Sequence, residues 1–170
     1  MRKPRKIISG STYHVVARAN RKEFILQENK IKILFLEVIK EAKRKYSFSL
    51  LNFCIMNNHI HFLIKPTHNS NLSRIMQWIL SVFAQRFNRI MGYTGHVWYD
   101  RFKSIIINGL QELLHAFRYI AENPVRAGIV QNPLDYPFNG VSFLRNKEYF
   151  ILEKPDISLI NALPEILGES

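Results

Sequence analysis

Apolar residues along the chain fall at two periods, and the alternation between them lays out the elements. Residues 12–18 (TYHVVAR) are β-branched and aromatic and follow the turn signal Ser9-Gly10-Ser11, which predicts a strand. Over residues 27–46 the apolar positions Ile31, Leu34, Phe35, Val38, Ile39 and Ala42 repeat at i, i+3, i+4 and i+7, the stripe of an amphipathic helix. Lys30, Lys32, Lys40, Lys43 and Arg44 fall on its other face. Two apolar runs, 48–56 and 60–65, flank Asn57-Asn58-His59, a short polar break in which asparagine can take a left-handed conformation. That is a hairpin.

Helical period returns over residues 71–91, with Leu72, Ile75, Met76, Ile79, Phe83, Phe87 and Ile90 on one side, Arg74 and Arg89 off it, and Gly92 as the stop. After a loop at 93–103 comes a short strand, 104–107. The last long helix starts near Asn108, with Gln111 three residues on as in a capping box, and should end before Pro124, because proline disfavours helical geometry at Asn123.

The order β, α, β, β, α, β, α predicts an α+β fold of the ferredoxin-like, split βαβ kind. An antiparallel sheet would carry two helices on one face, with one more helix to follow. Residues 1–130 make that domain, and 131–170, holding Pro133, Pro137, Pro155 and Pro164, read as an appendage packed on it with one short helix at 158–167. No internal repeat or low-complexity run is present. Such a fold hosts many functions, so the site has to decide.

Charge narrows the partner. The 170 residues hold 24 basic and 13 acidic side chains, a net charge of +11 and a pI near 10.0. The excess is +9 in residues 1–50 and +5 in 51–130, against −3 in 131–170. A polyanion bound by the first three quarters is the physical implication, and a phosphate backbone is the commonest one. The longest apolar stretches fall far short of the roughly 20 residues that span a bilayer, so no membrane partner is expected. The basic N-terminus lacks the apolar region and cleavage site of a signal peptide. A single cysteine, Cys54, cannot form an internal disulfide, excludes zinc-finger spacing and fits a reducing cytoplasm.

Candidate chemistry sits in two places. His59 and His61 alternate with Ile60, so the two imidazoles point to one face of their strand and could share a divalent metal. Two merely hydrogen-bonded histidines are the plain alternative. On the last helix Leu110, Leu113, Leu114, Phe117 and Ala121 form the apolar stripe, and Tyr119 projects about 180° from Leu110. Asn123 and His115, four residues on and four back, share its polar face.

A phenol, with its pKa near 10, is a poor nucleophile at neutral pH and needs help to attack phosphorus. A metal held by imidazoles and a carboxamide oxygen can polarise the phosphate instead. No phosphate-binding glycine loop and no carboxylate cluster suited to two-metal nuclease chemistry is present.

Four segments together carry a resemblance. Tyr13-His14-Val15-Val16 with Arg18 and Asn20, Met56-Asn57-Asn58-His59-Ile60-His61-Phe62-Leu63-Ile64, Arg101-Phe102-Lys103-Ser104, and Arg118-Tyr119-Ile120-Ala121-Glu122-Asn123-Pro124-Val125-Arg126-Ala127-Gly128 resemble the single-tyrosine HUH transposases (IS200-like). The REP-associated tyrosine transposases are the nearest branch, and the likeness covers residues 11–142.

The resemblance implies a DNA transposase and endonuclease. It would cut single-stranded DNA beside a hairpin by tyrosine attack, leaving a 5′-phosphotyrosine and a free 3′-OH, and rejoin strands by the reverse step with Mg²⁺ or Mn²⁺ bound. Position by position, Tyr119 falls on the nucleophile, His59 and His61 on the HUH pair and Asn123 on the third metal ligand, with Glu122 as a competing donor.

Arg18, Arg74, Arg86, Arg89, Arg101, Lys103, Arg118 and Arg126 are candidates for phosphate contacts, and Trp98 or Tyr99 for stacking on an unpaired base. His14 has no assigned role, and Cys54 is expected to be inert.

Two departures stand out. Ala19 replaces the glycine of the usual Arg-Gly-Asn, and Trp98-Tyr99-Asp100-Arg101 lacks the usual Gln and brings in Tyr99 as a rival nucleophile. A replication-initiator or relaxase-like nickase, or a catalytically inactive nucleic-acid-binding module, are the competing readings. The expected setting is the cytoplasm, on the nucleoid, as monomer or homodimer.

Overall fold

A computed structural model describes residues 7–167, with side chains through residue 164; residues 1–6, which hold much of the basic N-terminus, lie outside the described residues. The chain runs β1 (Thr12–Arg18), α1 (Asn29–Lys45), β2 (Phe48–Ile55), β3 (His59–Pro66), α2 (Leu72–Met91), β4 (Lys103–Ile107), α3 (Gly109–Arg126), α4 (Gly140–Arg145) and α5 (Ile157–Leu167). The strands pair antiparallel in the order β2-β3-β1-β4. This is the ferredoxin-like sheet expected from the element order.

Alternation divides the sheet into two faces. Tyr13, Val15 and Ala17 of β1 and Ile60, Phe62 and Ile64 of β3 are buried on the side covered by α1 and α2. There Phe35 of α1 meets Phe62 and Phe83 of α2, with ring centroids 6.1 and 4.8 Å away. Full burial of each such side chain stabilises the fold by about 1.5–3 kcal/mol. His14, Val16 and Arg18 of β1 and His59, His61 and Leu63 of β3 point to the opposite face, where α3 packs against β2, β3 and β4.

Helix ends follow local chemistry. The Asn71 side chain accepts from Arg74 N at 3.2 Å at the start of α2, and Gly92 closes it with φ +68°, a conformation only glycine adopts without cost. Pro124 does not end α3. Its missing N–H costs only the bond to Ile120 O in the last turn, and the helix continues because Ala127 N donates to Asn123 O at 3.0 Å. Asn108 is the N-cap residue but makes no side-chain cap; its own N–H donates to Glu112 Oε2 at 2.7 Å.

Four further expectations are corrected. Lys32, assigned by period to a polar face, is only 3% exposed; its ammonium is carried back to Gln27 O and Asn57 Oδ1, both at 3.0 Å. Ile90, assigned to the stripe of α2, is exposed at the helix end, beyond the reach of the core. Along α3 the buried positions are Ala116, Phe117, Ile120, Ala121 and Pro124, so the stripe is centred nearer the C-terminus, and Leu110 is exposed. Neither Asn57 nor Asn58 has positive φ, and Ala19 sits in ordinary extended geometry; the left-handed residues are Arg21 and Lys22 next door.

The C-terminal residues close an edge that sequence pattern did not address. Phe138 O accepts from Ile55 N at 3.0 Å, Glu153 N donates to Leu50 O at 2.9 Å, and Asn139 bridges Cys54 along the free side of β2. An unpaired strand edge is a liability for aggregation, and this segment covers it. Helix α4, unforeseen because it is only six residues long, packs Phe143 against Phe53 with centroids 5.1 Å apart.

Candidate active site

The two histidines reach one cleft because β3 is central and strictly alternating. His59 and His61 have ring centroids 5.0 Å apart on the α3 face. Their turn is tied down from three sides: Ala19 N donates to Asn58 O at 2.8 Å, Leu26 N to Asn57 O at 2.9 Å, and the buried Lys32 ammonium to Asn57 Oδ1.

Tyr119 comes from α3, whose position is set by buried amides. A register shift between Leu50 and Asn52 turns Asn52 from the α1 side to the α3 side of β2. There its Nδ2 donates to Phe117 O at 3.0 Å and its Oδ1 accepts from Phe53 N at 2.9 Å. Gly140 lets the backbone of α4 lie against this amide, since a Cβ there would collide with Asn52 Oδ1. Asn139 adds a bond from Nδ2 to Ala121 O at 2.8 Å.

Docked this way, Tyr119 lies edge-on to His61 and His14, at centroid distances of 5.8 and 5.7 Å, and keeps 36% of its surface exposed. The Arg126 guanidinium lies 5.0 Å above its ring. The cleft beside it, about 710 Å³, is lined by His14, Arg18, His61, Lys103, His115 and Tyr119 among others.

Hydrogen bonds orient the imidazoles. His59 Nδ1 donates to Asn58 Oδ1 at 2.7 Å, since an amide oxygen can only accept, which leaves Nε2 as the unprotonated nitrogen of the neutral ring. Asn123 Nδ2 donates to Tyr119 O at 2.9 Å, and the Asn123 side chain also bonds His59. His61 Nδ1 and His14 Nε2 are 2.9 Å apart. Burial, then the neighbouring charges of His59, His14 and Arg18, push His61 down to about 3. Burial also lowers His59, reinforced by Arg18 and opposed by Asn123, and burial lowers His14. All three rings are therefore neutral at pH 7, the form that can bind a metal.

His59 and His61, with the Asn123 side chain bonded to His59, are the groups that could hold a hard divalent cation. Among the described residues no group of three or more His, Cys, Asp and Glu side chains is arranged to hold a metal. Glu122, the competing third donor, is held by Arg118 at 2.7 Å and Arg126 at 2.9 Å, and these cations lower its carboxyl pKa against the opposing effect of burial.

The basic candidates divide. Arg18 and Lys103 line the cleft itself, and Arg101 lines an adjoining hollow with Arg18, Arg21, Lys22, Tyr99 and Lys103. Arg118 and Arg126 flank Tyr119 on its helix while bonding Glu122. Arg74 and Arg89 are on α2, over the other face of the sheet, and are not brought to the cleft. Arg86 is committed to Glu41 through two bonds of 2.7 and 2.8 Å.

Trp98 is half-buried, its Nε1 donating to Leu80 O at 2.9 Å and its ring packed on Phe35 and Phe83, and it lines a hollow with His96, Tyr99 and Arg101 away from the histidine cleft. Tyr99 is 74% exposed but lines the adjoining hollow rather than the histidine cleft. Cys54 is buried, its thiol pushed well above the usual range by desolvation. His14 is the site residue that sequence reasoning left unassigned; alternation along β1 with Arg18 was the available signal.

The family model for IS200-like transposases matches residues 7–123. A Haemophilus influenzae protein described as a REP-associated tyrosine transposase is 25% identical over 115 residues, which span 62% of this chain and 65% of that one. The chain thus matches slightly less than two thirds of that relative's length. A solved REP-associated tyrosine transposase bound to a REP hairpin superposes with a TM-score of 0.73 at 22% identity, covering 92% of this chain and 93% of that one. A structure described as a transposase from Deinococcus radiodurans R1 gives a TM-score of 0.50 at 14% identity, covering 77% and 94%. These two share the fold.

Proposed function

The chain belongs to the IS200-like transposase family, and from that premise we propose that it cleaves and rejoins single-stranded DNA beside hairpins, with Tyr119 as nucleophile and a divalent metal, Mg²⁺ or Mn²⁺, at His59, His61 and Asn123. One observation carries this reading: Tyr119, delivered by a helix of the same chain, lies against His61 while the Asn123 side chain bonds His59. Nucleophile and donors lie within one protomer, which favours action in cis.

In the proposed step the Tyr119 oxygen forms a bond to the scissile phosphorus and gives up its proton, while the P–O3′ bond breaks and the departing 3′-oxygen takes up a proton. The 5′-phosphotyrosine conserves the energy of the broken phosphodiester, so a 3′-OH from another end can reverse the step without nucleotide hydrolysis. The divalent ion, when bound, supplies Lewis-acid polarisation of the phosphate and offsets the charge that develops on it. Arg18 and Lys103 provide phosphate contacts at the cleft, and the apolar side chain of Ile105, 65% exposed on β4, offers a surface for sugar or base. Hairpin recognition is proposed from the solved relative that is bound to a REP hairpin.

The test is a covalent adduct. Labelled single-stranded DNA carrying inverted repeats from the flanks of the gene, incubated with protein and Mn²⁺, should give a protein–DNA band on a denaturing gel. Tyr119→Phe should lower it by more than about 10³-fold, since the attacking oxygen is gone. An adduct that survives in Tyr119→Phe would refute the nucleophile, and no adduct on any flank sequence would favour the inactive binding module.

A further inference from the structure

His14 has no part in the chemistry set out above, yet it is built into the site. Val16 pairs with His61 across the β1–β3 ladder, so His14, two residues along β1 on the same face, is the diagonal neighbour of His61. The two rings stack at 5.2 Å, with His14 Nε2 2.9 Å from His61 Nδ1, and both meet the edge of Tyr119. One proton lies in that short contact, and its owner decides whether His61 Nε2 is bare or protonated. Proton on His61 Nδ1 leaves Nε2 as a bare lone pair. Proton on His14 Nε2 would force His61 to carry its own on Nε2, which blocks a ligand position.

We infer that His14 is a positioning residue: by accepting from His61 Nδ1 it fixes His61 as the Nδ1–H tautomer and presents Nε2 as an electron-pair donor to the cleft. Two features of the site favour this orientation. Asn58 does the same for His59, whose Nδ1 must donate to an amide oxygen, so the pair of rings would present matching nitrogens. Arg18 lines the cleft and acts electrostatically on both His59 and His61, and a cation favours lone pairs over N–H groups facing it. A neutral imidazole left to itself prefers its proton on Nε2, so without an acceptor at Nδ1 the wrong tautomer would prevail. Outer partners of this kind set ligand orientation and basicity in metal sites, and their loss costs about 10–100-fold in affinity. The role in metal binding rests on the reading proposed above; the tautomer itself does not.

Two variants separate acceptor from packing. His14→Phe keeps a ring and loses the acceptor, whereas His14→Gln restores an acceptor oxygen near the position of Nε2. In metal-free, ¹⁵N-histidine-labelled protein, two-bond ¹H–¹⁵N spectra should show His61 as Nδ1–H in the wild type and in His14→Gln, and shifted towards Nε2–H in His14→Phe. Titration with Mn²⁺ alone, followed by electron paramagnetic resonance, should show about 10–100-fold weaker binding in His14→Phe and near-normal binding in His14→Gln. Thermal unfolding of each variant reports whether the fold is kept.

Finding wild-type His61 as Nε2–H would overturn the inference, as would Mn²⁺ affinity in folded His14→Phe equal to wild type, or equal losses in both variants. If wild-type protein bound no Mn²⁺ while the tautomers followed the expected pattern, the control of His61 by His14 would stand and the metal reading would fall.

Discussion

The two faces of one sheet are made from alternate residues of the same strands, and they do opposite work. Beneath α1 and α2, Tyr13, Val15, Ala17, Ile60, Phe62 and Ile64 are all no more than 2% exposed and packed on phenylalanines. Beneath α3, the same two strands supply His14, Arg18, His59 and His61, and amide hydrogen bonds from Asn52 and Asn139 to the backbone of α3 fix the placement of its buried Phe117, Ile120 and Ala121. Apolar packing tolerates no polar group without a partner, so the first face can only hold the fold. Directional hydrogen bonds can place a side chain to within a fraction of an ångström, and a half-open cleft lined by Arg18 and Lys103 can admit a phosphate. One residue of offset along β3 exchanges one role for the other.

His61 and Phe62 are the sharpest form of that contrast. Replacing His61 with Ala should lower DNA cleavage by at least about 10²–10³-fold, as the loss of one group that stabilises the reacting phosphate typically does, while metal-free hairpin binding persists. A gel-shift assay beside the adduct assay checks it; equal loss of both would make the histidine structural and erase the distinction between the faces. Its neighbour should behave in reverse: Phe62→Ala leaves a cavity against Phe35 and should cost about 3–5 kcal/mol of stability, read from denaturant unfolding, with cleavage failing only as the folded fraction falls.

Smaller in effect, pH should act through the α3 face. His61 is held at about 3 against 6.5 in the unfolded chain, and His59 and His14 are also lowered, so below pH 6.5 the unfolded state takes up protons that the folded state refuses. The contribution of His61 is fully present above pH 6.5 and declines as pH falls towards 3, by up to about 1.4 kcal/mol per unit, and the lowered His59 and His14 act in the same direction. Unfolding of chelator-treated protein at pH 7.5 and 5.5 should show this loss, and His61→Ala should flatten it. An unchanged slope in that variant would mean that the site histidines are not what titrates.

Much of this was legible in the chain. Period-2 alternation put His59 and His61 together, helical period put Tyr119 off the core with Asn123 one turn away, and element order predicted the antiparallel sheet. Each of these depends on residues near in sequence, where backbone geometry alone sets direction. Legibility failed where a side chain's fate depended on a distant partner. Lys32 reads as a surface lysine until Asn57 is there to receive it. Arg74 and Arg89 read no differently from the arginines of the cleft until α2 is seen on the far face. Trp98 reads as a fully open ring until Phe35, Phe83 and Leu80 anchor one side of it. The stripe of α3 was misplaced for a similar reason, since its C-terminal half is buried by β2 and by the residues around Asn139 rather than by a symmetric core.

By itself the sequence determined the split βαβ order, the facing of the two histidines, an off-core tyrosine with its asparagine one turn away, and a basic excess suited to a polyanion. All follow from local periodicity and composition. Only the tertiary structure decided that α3 brings Tyr119 to the histidines of its own chain, that a register shift in β2 turns Asn52 to hold that helix, and that His14 completes the cluster. Those outcomes hang on hydrogen bonds between residues tens of positions apart, and their lengths and directions exist only once the chain has closed on itself.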